Sequence, residues 1–219
     1  MSISLQKGQK VSLSKESKGL SNVLVGLGWD AVEQRSGLFG LFKAADIDCD
    51  ATAILLKNGK FVDKTDVVYF GNLVHKSGTV RHMGDNLTGE GEGDDEQILI
   101  ELSRVPQEYD KIVIVVNIYS AVQRKQHFGM IKNAFIRIVD GSTNREMCKY
   151  DLTESYSGMT AMIFGEIYRH NGEWKFELSV RVQRTHRSAI FADGMYDDVK
   201  SLGRETFAVS LPASLSEYI

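Results

Sequence analysis

The chain has 219 residues, 42% hydrophobic and 25% charged, which suits one globular domain with length enough to bury a core. It contains no apolar run of roughly 18 residues to span a bilayer, residues 1–17 lack the apolar centre of a signal peptide, and two cysteines make neither a disulfide framework nor a zinc site. The net charge of −3 is local in origin: residues 84–96 contribute −6, leaving +3 for everything else, which argues against nucleic acid as the main ligand. A reduced, cytoplasmic protein is the expectation.

In chain order, KVSLS (10–14) alternates apolar and polar residues, and NVLVGLGW (22–29) is an apolar strand containing glycines. AVEQRSGLFGLFKAA (31–45) breaks the rhythm; it reads either as a loop tucked onto the fold or as a docking tip carrying Leu38, Phe39, Leu41 and Phe42. TAILLKNGKFV (52–62) places Asn58-Gly59 between apolar runs, a hairpin signal, and DVVYF (66–70) is a short strand. EQILIELSRV (96–105) is expected to be a helix, capped by Asp94 or Asp95 and stopping before Pro106. KIVIVVNIY (111–119) is almost continuously β-branched and reads as a central buried strand. AFIRIVDG (134–141) alternates and ends in a turn. MTAMIFGEIYRHNGEWKFELSVRV (159–182) is the clearest hairpin, with Asn171-Gly172 at its turn and Trp174, Phe176, Leu178, Val180 and Val182 on one face. Residues 183–219 lose the alternation and look like a peripheral helix and an extended tail. The expected fold is mainly β: an antiparallel β-sandwich of two sheets with one to three peripheral helices. It spans residues 1–182, and 183–219 form a peripheral extension packed on the same domain.

Two acidic constellations raise the question of an ion. DIDCD places Asp46, Asp48 and Asp50 two residues apart, so on an extended segment all three carboxylates point to one side. Three like charges in a row are unfavourable without a cation among them. Asp30 ends the preceding strand. GDNLTGEGEGDDE (84–96) holds six carboxylates, four glycines and no basic residue. Calcium takes six to eight oxygens from carboxylates, amides and carbonyls, and glycines let carbonyls approach. The stretch is therefore either an oxygen cage or a solvated acidic loop. Neither segment is an EF-hand: DIDCDATAILLK has Ala where the loop needs Gly and Lys57 where it needs Glu, and the second has Leu87 and Gly89 at ligand positions.

Other chemistry is sparse. The five histidines form no HExxH pair, and neither a GxSxG elbow nor a Walker loop is present. His82, beside the acidic stretch, reads as a structural histidine or a group supporting the ion ligands. Cys49 faces away from Asp48 and Asp50 on an alternating strand and reads as a buried, inert thiol. Arg181, Arg184 and Arg187 read as an exposed strand end. Asp193, Asp197 and Asp198 fit a helix start or an extended metal site.

KGQKVSLSK, VGLGWD, DIDCDATAILL, HMGDNLTGEGEGDDEQI, FGMIKNAFIRIVD and KYDLTESYSGMTAMIFGEIYRHNGEWKF, in that order, resemble the tellurium-resistance TerD family over about residues 1–180. The resemblance implies a β-sandwich that binds calcium through acidic loops, a role in resistance to tellurite and other stresses, and no known enzymatic activity. Asp30 matches the Asp of the family's Gly-Trp-Asp, and Asp46, Asp48 and Asp50 its Asp-rich string. Asp85, Asn86, Gly89, Glu90, Gly91, Gly93, Asp94, Asp95 and Glu96 match its central motif. The candidate metal residues are Asp30, Asp46, Asp48, Asp50, Asp85, Asn86, Glu90, Gly91, Asp94, Asp95 and Glu96, holding two calcium ions. Residues 36–45 and the chain after Val182 depart from the family pattern. The expectation is a non-enzymatic calcium-binding protein of a bacterial stress response, whose loaded loops form a docking surface for other stress-response proteins or a membrane-associated complex. The alternatives are a metal-dependent hydrolase using the acidic cluster and a calcium-dependent membrane adaptor inserting Leu38, Phe39, Leu41 and Phe42.

Overall fold

Alternation and turn chemistry carry over into twelve strands among the described residues. The computed structural model describes residues 2–17, 19–30, 47–84, 93–152 and 156–183, with side chains through Val180. The first sheet, A, contains β1 (Ile3–Ser4), β3 (Val23–Asp30), β6 (Val80–His82), β7 (Glu96–Ile100), β9 (Lys132–Asp140) and β10 (Arg145–Asp151) in the order β1-β10-β9-β3-β7-β6. The second, B, contains β2 (Lys10–Ser12), β4 (Cys49–Leu56), β5 (Val67–Val68), β8 (Lys111–Ile118), β11 (Ala161–His170) and β12 (Glu173–Gln183) in the order β2-β12-β11-β8-β4-β5. Every pairing is antiparallel except β1 with β10. The antiparallel sandwich expected from the sequence is the fold.

The core lies between the sheets. Val25, Leu27, Ile98, Ile100, Ile136 and Ile138 of sheet A face Leu55, Ile112, Ile114, Val116, Phe164, Phe176 and Leu178 of sheet B. Each such side chain contributes about 1.5–3 kcal/mol by leaving water. The β11–β12 hairpin turns at Asn171 (φ 54°) and Gly172 (φ 77°), the left-handed pair that matches strand twist. Asn58 (φ 50°) and Gly59 (φ 69°) make a turn of the same kind. There the chain returns through a single Lys57–Lys60 bridge, and the strand that pairs with β4 is the later β5. The helices are single turns, α1 (Leu13–Glu16) and α2 (Ala121–Arg124), with 3-10 turns at Lys64–Asp66 and Phe128–Met130.

One expected element is wrong. The segment after Asp95 is strand β7, not a helix. Glu96, Ile98 and Ile100 are buried while Gln97 and Leu99 are half-buried, an alternation of period two. It pairs with β3 on one side and β6 on the other, and those tertiary hydrogen bonds outweigh local helix propensity.

A buried polar strut closes the side where β5 and β6 end their sheets. Asp66 Oδ1 accepts from Tyr109 Oη (2.6 Å) and Lys76 Nζ (2.7 Å) and meets His75 Nε2 at 3.2 Å. His75 Nδ1 meets Ser77 Oγ at 2.7 Å. Burial pushes the Asp66 carboxyl up, but the bonds from Lys76, Tyr109 and His75 outweigh it and hold the group below its ordinary value. Burial pushes the Tyr109 phenol well above its usual range, helped by Asp66. Burial also lowers the His75 pKa and favours its neutral form, against the opposing pull of Asp66.

Asp66→Asn should cost about 2 kcal/mol or more in urea unfolding near neutral pH, because the Lys76 and Tyr109 donors lose an anionic acceptor. The contribution of a carboxyl with a depressed folded pKa is full above its unfolded value of about 3.9 and fades as pH falls through the folded one. The gap between wild type and variant should therefore shrink below about pH 4. A gap unchanged by acid would assign the loss to packing instead of charge.

Candidate functional site

Strand direction gathers the acidic residues. β3 ends at Asp30, β7 begins at Glu96 opposite Leu27, and β4 begins at Cys49 opposite Ile118, the end of β8. Trp29 ties the two sheets at this end, its Nε1 donating to the Ile47 carbonyl at 3.1 Å. A register shift in the β3–β9 ladder lies between Gly28 and Asp30, and the Trp29 amide donates to Asp95 Oδ2 at 2.8 Å.

The structure divides the predicted ligands into groups with different surroundings. Glu96 is buried between the sheets, accepts from the Ala51 amide across the gap, and lies 3.5 Å from His82 Nε2. His82 is thus a buried partner of the acidic end. Asp94 lies on the outer side of sheet A. Arg137 Nε donates to its Oδ1 at 2.7 Å, and Arg137 Nη2 and Gln97 Nε2 donate to its Oδ2 at 3.1 Å each. Its place depends on Gly26, because a Cβ there would stand inside van der Waals contact with the Asp94 carboxylate. Asp30 is exposed and accepts from Asn133 Nδ2. Asp95 is half-buried; burial raises its pKa, and nearby Asp94 and Asp30 raise it further.

Asp48 and Asp50 flank Cys49, and all three are buried. Asp50 Oδ2 accepts from Asn117 Nδ2 at 2.9 Å, and Arg124 Nη1 stands 3.9 Å from Asp48 Oδ2. Cys49 lies in the inter-sheet core, where burial first and then Asp50 and Asp48 push its thiol well above the ordinary value. It is buried, as expected. Asn117, 6% exposed, has an Oδ1 with no hydrogen-bond partner among the described residues. Turning the amide over would set oxygen against the Asp50 carboxylate, so this orientation is physically fixed. A buried carbonyl oxygen on the amide that meets the Asp50 carboxylate, with buried Asp48 two residues along the chain, is oxygen chemistry suited to a hard cation.

Asp46, Asp85, Asn86, Glu90 and Gly91 lie outside the described residues, as do residues 36–45. Among the described residues no three His, Cys, Asp or Glu side chains gather closely enough to hold a metal by themselves. Sequence reasoning missed Asn117 and Arg137. Asn117 left one signal, the single polar position in a run of β-branched residues; Arg137, 43 positions from Asp94, left none.

Gly26→Ala should destabilise the fold by about 1–3 kcal/mol through overpacking against Asp94. Combined with Arg137→Met it should cost less than the sum of the two, since both act through one carboxylate. Additive losses in chemical unfolding would separate Gly26 from Asp94.

The chain matches the TerD domain family over residues 1–181. It is 55% identical over 179 residues to the stress response protein SCP2 of Bacillus subtilis, covering 80% of this chain and 90% of that protein. It is 52% identical over 177 residues to the tellurium resistance protein TerD of Serratia marcescens, covering 80% and 88%. A solved Streptomyces coelicolor structure, described as a homologue of telluride resistance protein, shares the fold with a TM-score of 0.59 at 24% identity, covering 78% of this chain and 95% of that one.

Proposed function

The chain belongs to the TerD family of tellurium-resistance and stress-response proteins, and from that premise we propose that it is a non-enzymatic calcium-binding protein whose acidic end, once loaded, becomes a partner-docking surface. The observation that carries this reading is the trio of Asp48, Asp50 and Asn117, two buried carboxylates and a buried carbonyl oxygen without a hydrogen-bond partner among the described residues. Their oxygens, with those of residues 85–92, are the hard donors that calcium prefers. Calcium would add positive charge among these carboxylates. Asp94 would act differently: Arg137 and Gln97 engage both its oxygens, so it anchors the entry to β7 and does not ligate.

The elevated pKa of Asp95 supports the same reading, since like charges and burial already make its ionised form costly. The alternative of a hydrolase has one arrangement to point to, the Asp66–His75–Ser77 chain. Its local backbone donors are committed: Ser77 N–H to His75 Nδ1 (3.2 Å), Gly78 N–H to the His75 carbonyl (2.7 Å) and Thr79 N–H to Ser77 Oγ (3.4 Å). They leave no oxyanion hole beside the hydroxyl, and Lys76 already neutralises Asp66. The chain acts as a strut. Residues 38–42, on which membrane insertion would depend, lie outside the described residues; among those described, no helix is long and apolar enough to cross a membrane.

Thermal unfolding of demetallated protein should shift upward with calcium and much less with magnesium. A ligand that binds only the folded state adds about 2.7 kcal/mol at a hundred times its dissociation constant. Asp50→Asn and Asp85→Asn should each abolish most of the shift. An unmoved transition in wild type at millimolar calcium would overturn the proposal.

A further inference from the structure

His75 joins the two sheets on the side where β5 and β6 end them. Its amide donates to the Val80 carbonyl (2.9 Å), on β6 of sheet A. Its buried ring meets Asp66, which leads into β5 of sheet B, and stands edge-on to Tyr109, which leads into β8, with ring centres 5.1 Å apart. Leu73 and Val74 are 45% and 47% exposed, so this stretch of chain buries little apolar surface there and its polar bonds carry the larger share of its attachment. Those bonds also fix which ring nitrogen carries the proton. The Ser77 amide can only donate, and it meets Nδ1 at 3.2 Å; Nδ1 is therefore the acceptor, and the proton sits on Nε2, facing Asp66 Oδ1 at 3.2 Å. The hydroxyls follow in the same sense, Thr79 Oγ1 donating to Ser77 Oγ and Ser77 Oγ to Nδ1, each at 2.7 Å.

We propose that His75 is an acid-sensitive latch: uncharged, it closes this side of the sandwich, and protonation releases residues 72–79 from the edge of sheet B. A second ring proton has to sit on Nδ1, against the Ser77 N–H, and both hydroxyls have to reverse. The charge arrives on a ring sealed from water, next to Lys76 and near Lys57, whose Nζ stands 4.9 Å from the Tyr109 ring centre. The carboxylate that faces the ring, Asp66, already pairs with Lys76 at 2.7 Å; Glu108 pairs with Lys57 at 3.1 Å, and Asp63 takes the Thr65 amide at 2.8 Å. Burial accordingly holds the His75 pKa below its ordinary value, against the pull of Asp66. The opened form, whose histidine is solvated, takes the proton first. The latch is therefore fully closed above the unfolded value of about 6.5 and weakens as pH falls from there toward the folded one.

Ring-nitrogen NMR and hydrogen exchange on the full chain test this directly. At pH 7 the His75 ring should be neutral with its proton on Nε2, and in the folded protein it should protonate only below the ordinary value of about 6.5. From about pH 7 to about pH 5.5, with intrinsic exchange rates divided out, the opening equilibrium of amides in 72–80 should rise at least twofold, the ceiling being tenfold per pH unit for one proton. His75→Gln should abolish that rise. Ser77→Ala, a milder change that deletes only the hydroxyl donor to Nδ1, should raise the folded His75 pKa. A proton on Nδ1 at pH 7, protection in 72–80 that is the same at both pH values, a rise that persists in His75→Gln, or an unmoved His75 pKa in Ser77→Ala would each overturn the proposal.

Discussion

The acidic end depends on one carboxylate crossing between the sheets. Glu96 opens β7 in sheet A and takes the Ala51 amide of β4 in sheet B. β5 covers β4 only at Ala53 and Ile54, so the Ala51 amide lies beyond that edge strand, and Glu96 takes its place. Burying a carboxylate is costly unless strong donors meet it. Once Glu96 points inward, its neighbours are placed by the strand. Asp95 meets the Trp29 amide, and Asp94 folds over the outer side of sheet A onto Arg137. Three consecutive carboxylates thus acquire three different surroundings.

That division explains why the acidic residues are not interchangeable. Asp94 has a guanidinium against one edge and a glycine beneath it, a structural arrangement complete in itself. Asp48 stands 3.9 Å from Arg124 Nη1, and Asp50 takes the Asn117 amide, whose own oxygen has no partner among the described residues. Charge density alone, which is all that composition records, cannot separate these cases. Only the partner across the sheet does.

The strands were legible because their signals are local. Asn58-Gly59 and Asn171-Gly172 turn where left-handed residues are required, and Lys111–Ile118 is buried over nearly its whole length as a β-branched run demands. β7 was misread because Asp94 and Asp95 look like helix caps, and Ile98, Leu99 and Leu102 fit a helical face as readily as a strand. The decision came from β3 and β6, which no local window contains. The same limit hid Arg137. The acidic residues themselves were legible by type and spacing, and their grouping at one end followed from strand polarity once the sheets were known.

The acidic end and the outer face of sheet B share a boundary. The row Asp50–Asn117–Ala161–Gln183 runs across four strands. Its first two members belong to the proposed ion site, and its last is the end of β12. A cation at Asp50 would stand on the row that ends at Gln183, so its charge would act on that end of β12 as well.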